Sequence, residues 1–207
     1  MGKRDRQRRP ARRVPFKDSK PVILIVTEGK VTEPEYLDGF AKASRNPRVR
    51  IEVVGGSGAP KTIVESAREL KRNAVKRARR EEDENLIYDA VWCVFDVDQH
   101  PNISDATQMA RDNGLELAIS NPCIELWLWL HLAEQPGMQH RHDLQRMLKQ
   151  YVTAYDKHVK FSDYAAGYAD AVRRASRLDS DADAVNEQGR NPTTGVWRLT
   201  QSIRTDS

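Results

Sequence analysis

Cysteine is nearly absent from this chain of 207 residues: Cys93 and Cys123 are the only two, and both sit among apolar neighbours. Two isolated thiols build no disulfide framework, and no close Cys/His spacing accompanies them that would suit a structural zinc site. The expected state is two buried free thiols in a reducing compartment. Long hydrophobic runs are missing too. No stretch approaches the roughly 20 apolar residues that span a bilayer. The N-terminus is basic from Lys3 and has no apolar signal core. These absences set aside disulfide scaffolds, zinc modules and membrane spans, and the expectation is a cytoplasmic protein.

What is present suits a soluble globular chain with a polar, helix-rich surface: 39% hydrophobic and 31% charged residues. The length is enough for one domain with a sizeable core and extra helices. The formal net charge of +4 is unevenly placed, because the first 20 residues hold many Lys and Arg against only Asp5 and Asp18. Residues 1–20 read as a basic, disordered tail, and 21–207 as a single domain with a helical C-terminal extension. Such a tail can neutralise nucleic-acid phosphates or act merely as a solubilising arm.

The chain then alternates between strand and helix. Pro21-Val22-Ile23-Leu24-Ile25-Val26 is a β-branched apolar run that reads as a buried parallel strand ending at Thr27-Glu28-Gly29-Lys30. Gly29 is expected to permit a sharp turn. Thr32 and Glu35 have capping-box spacing, and a helix is expected to about Ser44. Residues 51–54 read as a second strand and 55–59 as a glycine-rich loop that lacks a P-loop ending. Residues 61–82 read as a helix with one apolar stripe and a basic remainder, either simply solvated or a nucleic-acid track. Asp89-Ala90-Val91-Trp92-Cys93-Val94-Phe95 is the strongest strand signal and ends in Asp96-Val97-Asp98. A helix over 105–113, a fourth strand over 115–119 ending at Ser120-Asn121-Pro122, and a Trp-rich helix over 125–132 follow. Two helices are expected between Arg141 and Leu178, and a last short one after Asn191-Pro192-Thr193-Thr194. This order implies a mostly parallel α/β sheet flanked by helices on both faces.

In such sheets the site lies beyond the carboxyl ends of the strands. Glu28, the pair Asp96 and Asp98, and Ser120 with Asn121 all fall there. Asp96 and Asp98 would point the same way from an extended strand. Crowded carboxylates demand a proton or a cation, and a thiol-free carboxylate set suits Mg²⁺ or Mn²⁺. A second ion would need further carboxylates, for which Glu33 and Glu125 are the candidates. Glu28 can equally act as a general acid/base.

Ile25-Val26-Thr27-Glu28-Gly29-Lys30-Val31-Thr32-Glu33-Pro34-Glu35-Tyr36, the 91–98 segment, Ser120-Asn121-Pro122-Cys123-Ile124-Glu125-Leu126-Trp127-Leu128 and Asn191-Pro192-Thr193-Thr194 together resemble the RloB-like proteins. The resemblance covers about residues 20–205. It implies a TOPRIM-like (Rossmannoid) fold, akin to that of OLD-family nucleases, and a Mg²⁺-dependent nuclease. It also implies a role in bacterial anti-phage defence, commonly with an ABC-type ATPase partner. Carried over by motif, Glu28, Asp96 and Asp98 are the catalytic, metal-binding carboxylates, with Glu33 and Glu125 as further metal ligands. The acidic pattern departs from the superfamily's after Asp98, where Gln99-His100 follow, which puts a second metal in doubt.

Lys30, His100, Ser120 and Asn121 are candidate substrate contacts, with DNA or RNA as the substrate. His131 reads as a structural histidine, and Trp127 and Trp129 as core or interface. Three functional readings remain: an active nuclease; an effector subunit held by the ATPase, for which the Trp-rich helix would supply an interface; and a nucleotide receptor using the 55–59 loop.

Overall fold

The apolar run before Glu28 forms strand β1 (Ile23–Thr27), buried along its whole length. It occupies a near-central place in the sheet of the computed structural model, which describes residues 20–53, 59–97, 103–152 and 155–204. The basic tail, most of the glycine-rich loop, Asp98 and His100 lie outside the described residues. β1 is flanked by β2 (Val49–Val53) and β3 (Ala90–Asp96), and β3 by β4 (Glu116–Asn121). These four strands are parallel. A two-residue strand, β5 (Thr193–Thr194), pairs antiparallel with the end of β4 and completes the order β2-β1-β3-β4-β5. The fifth strand was not expected: two residues carry no periodicity, and only the distant partner Ser120-Asn121 defines them.

The helices are α1 (Thr32–Ala43), α2 (Pro60–Glu81), α3 (Ile103–Asp112), α4 (Glu125–Leu132), α5 (Arg141–Tyr151), α6 (Tyr168–Asp183) and α7 (Val196–Arg204). Alternation along the strands divides the core into two layers. Leu24, Val26, Cys93 and Phe95 face Ile63, Val64 and Ala67 of α2 and Ala106 and Ala110 of α3. Ile23, Ile25, Trp92 and Val94 face the other layer, built from α1, α4, α6 and α7. Each large side chain fully buried in either layer stabilises the fold by about 1.5–3 kcal/mol. Cys93 and Cys123 are free and buried. Among the described residues no helix is long and apolar enough to cross a membrane.

α4 is apolar on every side, so it must be enclosed. Residues from Glu125 through His131 are all buried, with Trp127 at 0% exposure and Trp129 at 6%. The Trp-rich helix therefore belongs to the core and offers no partner surface. Its Trp127 ring meets Tyr36 edge-on at a centroid distance of 6.2 Å.

The capping box expected at Thr32 and Glu35 does not form. Thr32 is already helical, and its hydroxyl donates to the Lys157 carbonyl at 2.9 Å. Glu35 instead accepts from the Val159 N–H at 2.7 Å and meets His158 Nδ1 at 2.7 Å. Partners 123 to 125 residues away in sequence take the place of the local ones, and they strap the segment after α5 onto α1.

His131 is a structural histidine. Its Nδ1 lies 2.8 Å from the Tyr164 carbonyl, which only accepts, so Nδ1 carries the proton and Nε2 accepts from the Tyr36 hydroxyl at 3.0 Å. Burial lowers its pKa from 6.5 to about 4. Above pH 6.5 the ring is neutral in both folded and unfolded chains. As pH falls towards 4, the unfolded chain takes up a proton that the folded one declines, and stability is lost. This loss should reach about 3 kcal/mol. Urea unfolding of wild type and His131→Gln at pH 7, 5.5 and 4.5 should show the stability advantage of wild type shrinking across that window. A constant difference would contradict this assignment.

Candidate functional site

The register of β1 against β3 sets two acids at one height. Thr27 pairs with Val94, and the Glu28 N–H makes the last bond of the ladder, to the Val94 carbonyl at 3.1 Å. Asp96 ends β3, opposite Ser120, where the Val97 N–H donates to the Ser120 carbonyl at 2.9 Å. Asp96 shares its parity with Trp92 and Val94, so it belongs to the α1/α4 side of the sheet. Glu28 has the opposite parity within β1, but the strand stops at Thr27 and the chain turns. The Thr27 hydroxyl closes that turn on the Gly29 carbonyl at 3.0 Å.

α1 and α4 then bring their first turns to the same edge, carrying Glu33 and Glu125. Glu28, Glu33, Asp96 and Glu125 line one cleft of about 320 Å³ together with Lys30, Arg141 and Lys157. Burial raises the Asp96 pKa well above its ordinary 3.8, and the Glu33, Glu125 and Glu28 carboxylates raise it further, while Arg141 opposes them. Glu33 is raised first by burial, then by Glu125 and Glu28, against the backbone N–H groups of Glu33 and Gly29, which favour its charged form. The carboxylates therefore act on one another across a shared space. Glu125 is held in place: its Oε1 accepts from Gln145 Nε2 at 2.8 Å and from the Tyr155 hydroxyl at 3.1 Å. Burial, reinforced by Glu125, pushes the neighbouring Cys123 thiol up strongly, so it is no nucleophile at neutral pH.

Gly29 sits in the expected turn and does more than permit it. It is not among the residues with positive φ. A Cβ at this position would overlap the Glu33 carboxylate, which folds back over the glycine. The Glu28-Gly29 pair thus leaves room for a second acid four residues on.

Among the described residues, no three His, Cys, Asp or Glu side chains are disposed to hold a metal ion by themselves. Mg²⁺ does not require three. It keeps several waters and is bound through one or two carboxylates plus substrate phosphates. An oxygen-only set of carboxylates fits such a hard cation in kind, and poorly fits zinc or copper.

Of the residues singled out from the sequence, Glu28, Lys30, Glu33, Asp96 and Glu125 come together in the cleft. Asp98 and His100 lie outside the described residues. Ser120 and Asn121 are engaged elsewhere: Ser120 Oγ lies 2.8 Å from Thr194 Oγ1, and Asn121 Nδ2 donates to the Gly189 carbonyl at 2.8 Å. Both tie β4 to the C-terminal segment, and neither lines the cleft. Sequence reasoning missed Arg141 and Lys157 on the rim, and Gln145 and Tyr155 behind Glu125. These four come from α5 and the turn after it, where no local motif marks them. Only the fold's return over the sheet edge makes them neighbours of the acids.

A family model described as RloB-like protein matches residues 23–203, which run from the start of β1 into α7. No curated protein and no solved structure matches the chain.

Gly29→Ala should expel the Glu33 carboxylate while leaving the fold intact, because the atoms it meets are the free end of a side chain. The expected loss of stability is within about 1 kcal/mol. Glu33, freed from burial, should titrate closer to its ordinary 4.5. Carboxyl-carbon NMR titration of wild type and variant reads this directly. An unchanged Glu33 titration would show that the glycine plays no such part.

Proposed function

This chain belongs to the RloB-like protein family, and we propose that it is a Mg²⁺- or Mn²⁺-dependent nuclease of TOPRIM-like architecture. It hydrolyses phosphodiester bonds in DNA or RNA and acts as an effector in bacterial anti-phage defence. The observation that carries this reading is the meeting of Glu28, Glu33, Asp96 and Glu125, from four separate segments, in one cleft rimmed by Lys30, Arg141 and Lys157.

Glu28 and Asp96, with Asp98 beyond the described residues, would hold the cation, and Glu33 and Glu125 stand near enough to share its charge. The bound ion would polarise the scissile phosphate and lower the pKa of an attacking water. Lys30, Arg141 and Lys157 supply the positive charge that a phosphodiester needs in order to approach four acids. Glu33, whose proton affinity is raised by burial and by its acidic neighbours, can carry a proton to the leaving oxygen or accept one from water. Gln145 and Tyr155 keep Glu125 from swinging away. The alternative, a subunit held by an ABC-type ATPase, rests on the family resemblance alone, since α4 is part of the core.

Asp96→Asn should abolish cleavage of plasmid DNA, total RNA or tRNA in Mg²⁺ or Mn²⁺, and EDTA should abolish it in wild type. Neutralising Asp96 also removes a buried, repelled charge. The variant should therefore be as stable as wild type without metal, or more stable by on the order of 1 kcal/mol. Mn²⁺ should raise the melting temperature of wild type and leave that of Asp96→Asn unchanged. Equal Mn²⁺ shifts in both proteins, or undiminished cleavage by the variant, would overturn the assigned site.

A further inference from the structure

α2 is 22 residues long and carries far more positive than negative charge. Lys61, Arg68, Arg72, Lys76 and Arg79 are all exposed. At 100° per residue these five fall in one sector about 80° wide, opposite the buried stripe, and the row runs about 27 Å along the helix. Glu65 is the single acid within that sector, with Glu69 at its margin. The Arg68–Arg72 and Arg72–Lys76 pairs are like charges at i,i+4, which destabilise a helix. Among the described residues none of the five cations makes an ion pair or a side-chain hydrogen bond.

Glu65 and Glu69 stand a turn from Lys61, Arg68 and Arg72 without pairing with them, whereas several cations elsewhere do pair with an acid a turn away. Lys42 pairs with Asp38, Arg146 with Asp143, Arg173 with Asp170 and Arg190 with Glu187. Even on α2, the flanking Arg77 and Arg80 pair with Glu81. The paired Arg77 and Arg80 lie to one side of the row near its C-terminal end, and the acidic Glu81-Glu82-Asp83-Glu84 run ends it.

Its position is also informative. α2 follows the end of β2 and leads into the start of β3, so it begins at the carboxyl edge of the sheet and runs to the opposite edge. It packs on β1 and β3, the strands that present Glu28 and Asp96. The row of cations therefore starts at the edge that holds the cleft and leads away from it. Successive cations at i,i+4 rise about 6 Å, a step on the scale of the phosphate repeat along a nucleic-acid strand.

We infer that the outer face of α2 is a nucleic-acid backbone track, which binds phosphates without reading sequence. The inference extends the proposed function and rests on it for the identity of the polyanion. The row repels itself in the free protein and is relieved when phosphates neutralise it, with release of counterions.

The test measures binding by the full chain in EDTA, where no cleavage intervenes. Fluorescence anisotropy with a labelled 20-base-pair DNA duplex, the same duplex in RNA and a 20-nucleotide single strand is read across a salt series. The variant Arg68→Gln/Arg72→Gln/Lys76→Gln should bind the preferred ligand at least tenfold more weakly at 100 mM salt. For a duplex, its slope of log affinity against log salt should be shallower by about 2 to 3. The basic tail is common to both proteins, so the difference isolates α2. Gln preserves helix propensity, and the variant should melt no lower than wild type. If it does melt lower, Arg72→Gln alone gives the reading, with a slope change of about 1. Asp96→Asn should bind at least as tightly as wild type. Binding of this kind, with no cleavage by wild type under any metal, would sink the nuclease and leave the track standing. Equal affinity and slope for wild type and the triple variant, no binding by wild type, or competition by polyglutamate as effective per charge as the duplex would each overturn the inference.

Discussion

Mutual repulsion among acids at one sheet edge is the constraint around which this fold is arranged. Glu28, Glu33, Asp96 and Glu125 line a single cleft, and Glu33 and Asp96 are harder to ionise because they are buried and, beyond that, because the other acids are there. An isolated peptide would not keep such groups together. What keeps them together is the sheet beneath. β1 is buried throughout and β3 nearly so, and a one-residue slip of either would exchange the two layers of its side chains. Register is therefore tightly held, and with it the heights at which Glu28 and Asp96 emerge. A few kcal/mol of local repulsion is small beside the apolar area that a slip would expose.

The second pair of acids is placed by the chain that returns over that edge. The Glu125 carboxylate is fixed by Gln145 from α5 and by Tyr155 from the turn after it. The same turn reaches across to α1, through Thr32 to the Lys157 carbonyl and through Glu35 to His158 and Val159. α1 and α4 are thus tied to one another at their first turns, where Glu33 and Glu125 sit. The Asn-Pro segments do similar work at the far side of β4. Asn121 holds the Gly189 carbonyl, and Asn191 exchanges hydrogen bonds with the backbone of Gln139. Arg141, Gln145, Tyr155 and Lys157 all belong to α5 and the turn after it, so this unit is as much a part of the site as the strands.

The elements that could be read from sequence are those whose signals are local. β1, β3 and α4 carry unbroken apolar runs, and α2 a long helical period, so their extents follow from the chain alone. Glu28 and Asp96 were legible because a strand ending in an acid is a local pattern. Glu33 and Glu125, the candidates for holding a second ion and the acids of the family motifs, both sit in the cleft. The remainder depends on partners distant in sequence. β5 exists only because Ser120 and Asn121 pair with it. Thr32 and Glu35 fit a capping box locally and were claimed by Lys157, His158 and Val159. The turn at Gly29 is legible locally, but the room it leaves for the Glu33 carboxylate is not. Arg141, Gln145, Tyr155 and Lys157 have no marking in their own neighbourhoods.

Consistency between local preference and global structure is the rule in a foldable sequence, so the places where it breaks are informative. Most of this surface obeys the rule, with acids set a turn from bases on α1, α5 and α6. Two regions break it in opposite senses. The cleft gathers negative charge that its own cations only partly offset, and the outer face of α2 gathers positive charge that Glu65 and Glu69 only partly offset. Each arrangement costs stability in the free protein, and neither supports the core. The two are joined by the strands that carry Glu28 and Asp96 on one side and pack α2 on the other. A cation would relieve the first and a polyanion the second. On the proposed function, one ligand system, nucleic acid with its divalent ions, would relieve both, which would account for opposite charge excesses coexisting on one sheet without cancelling.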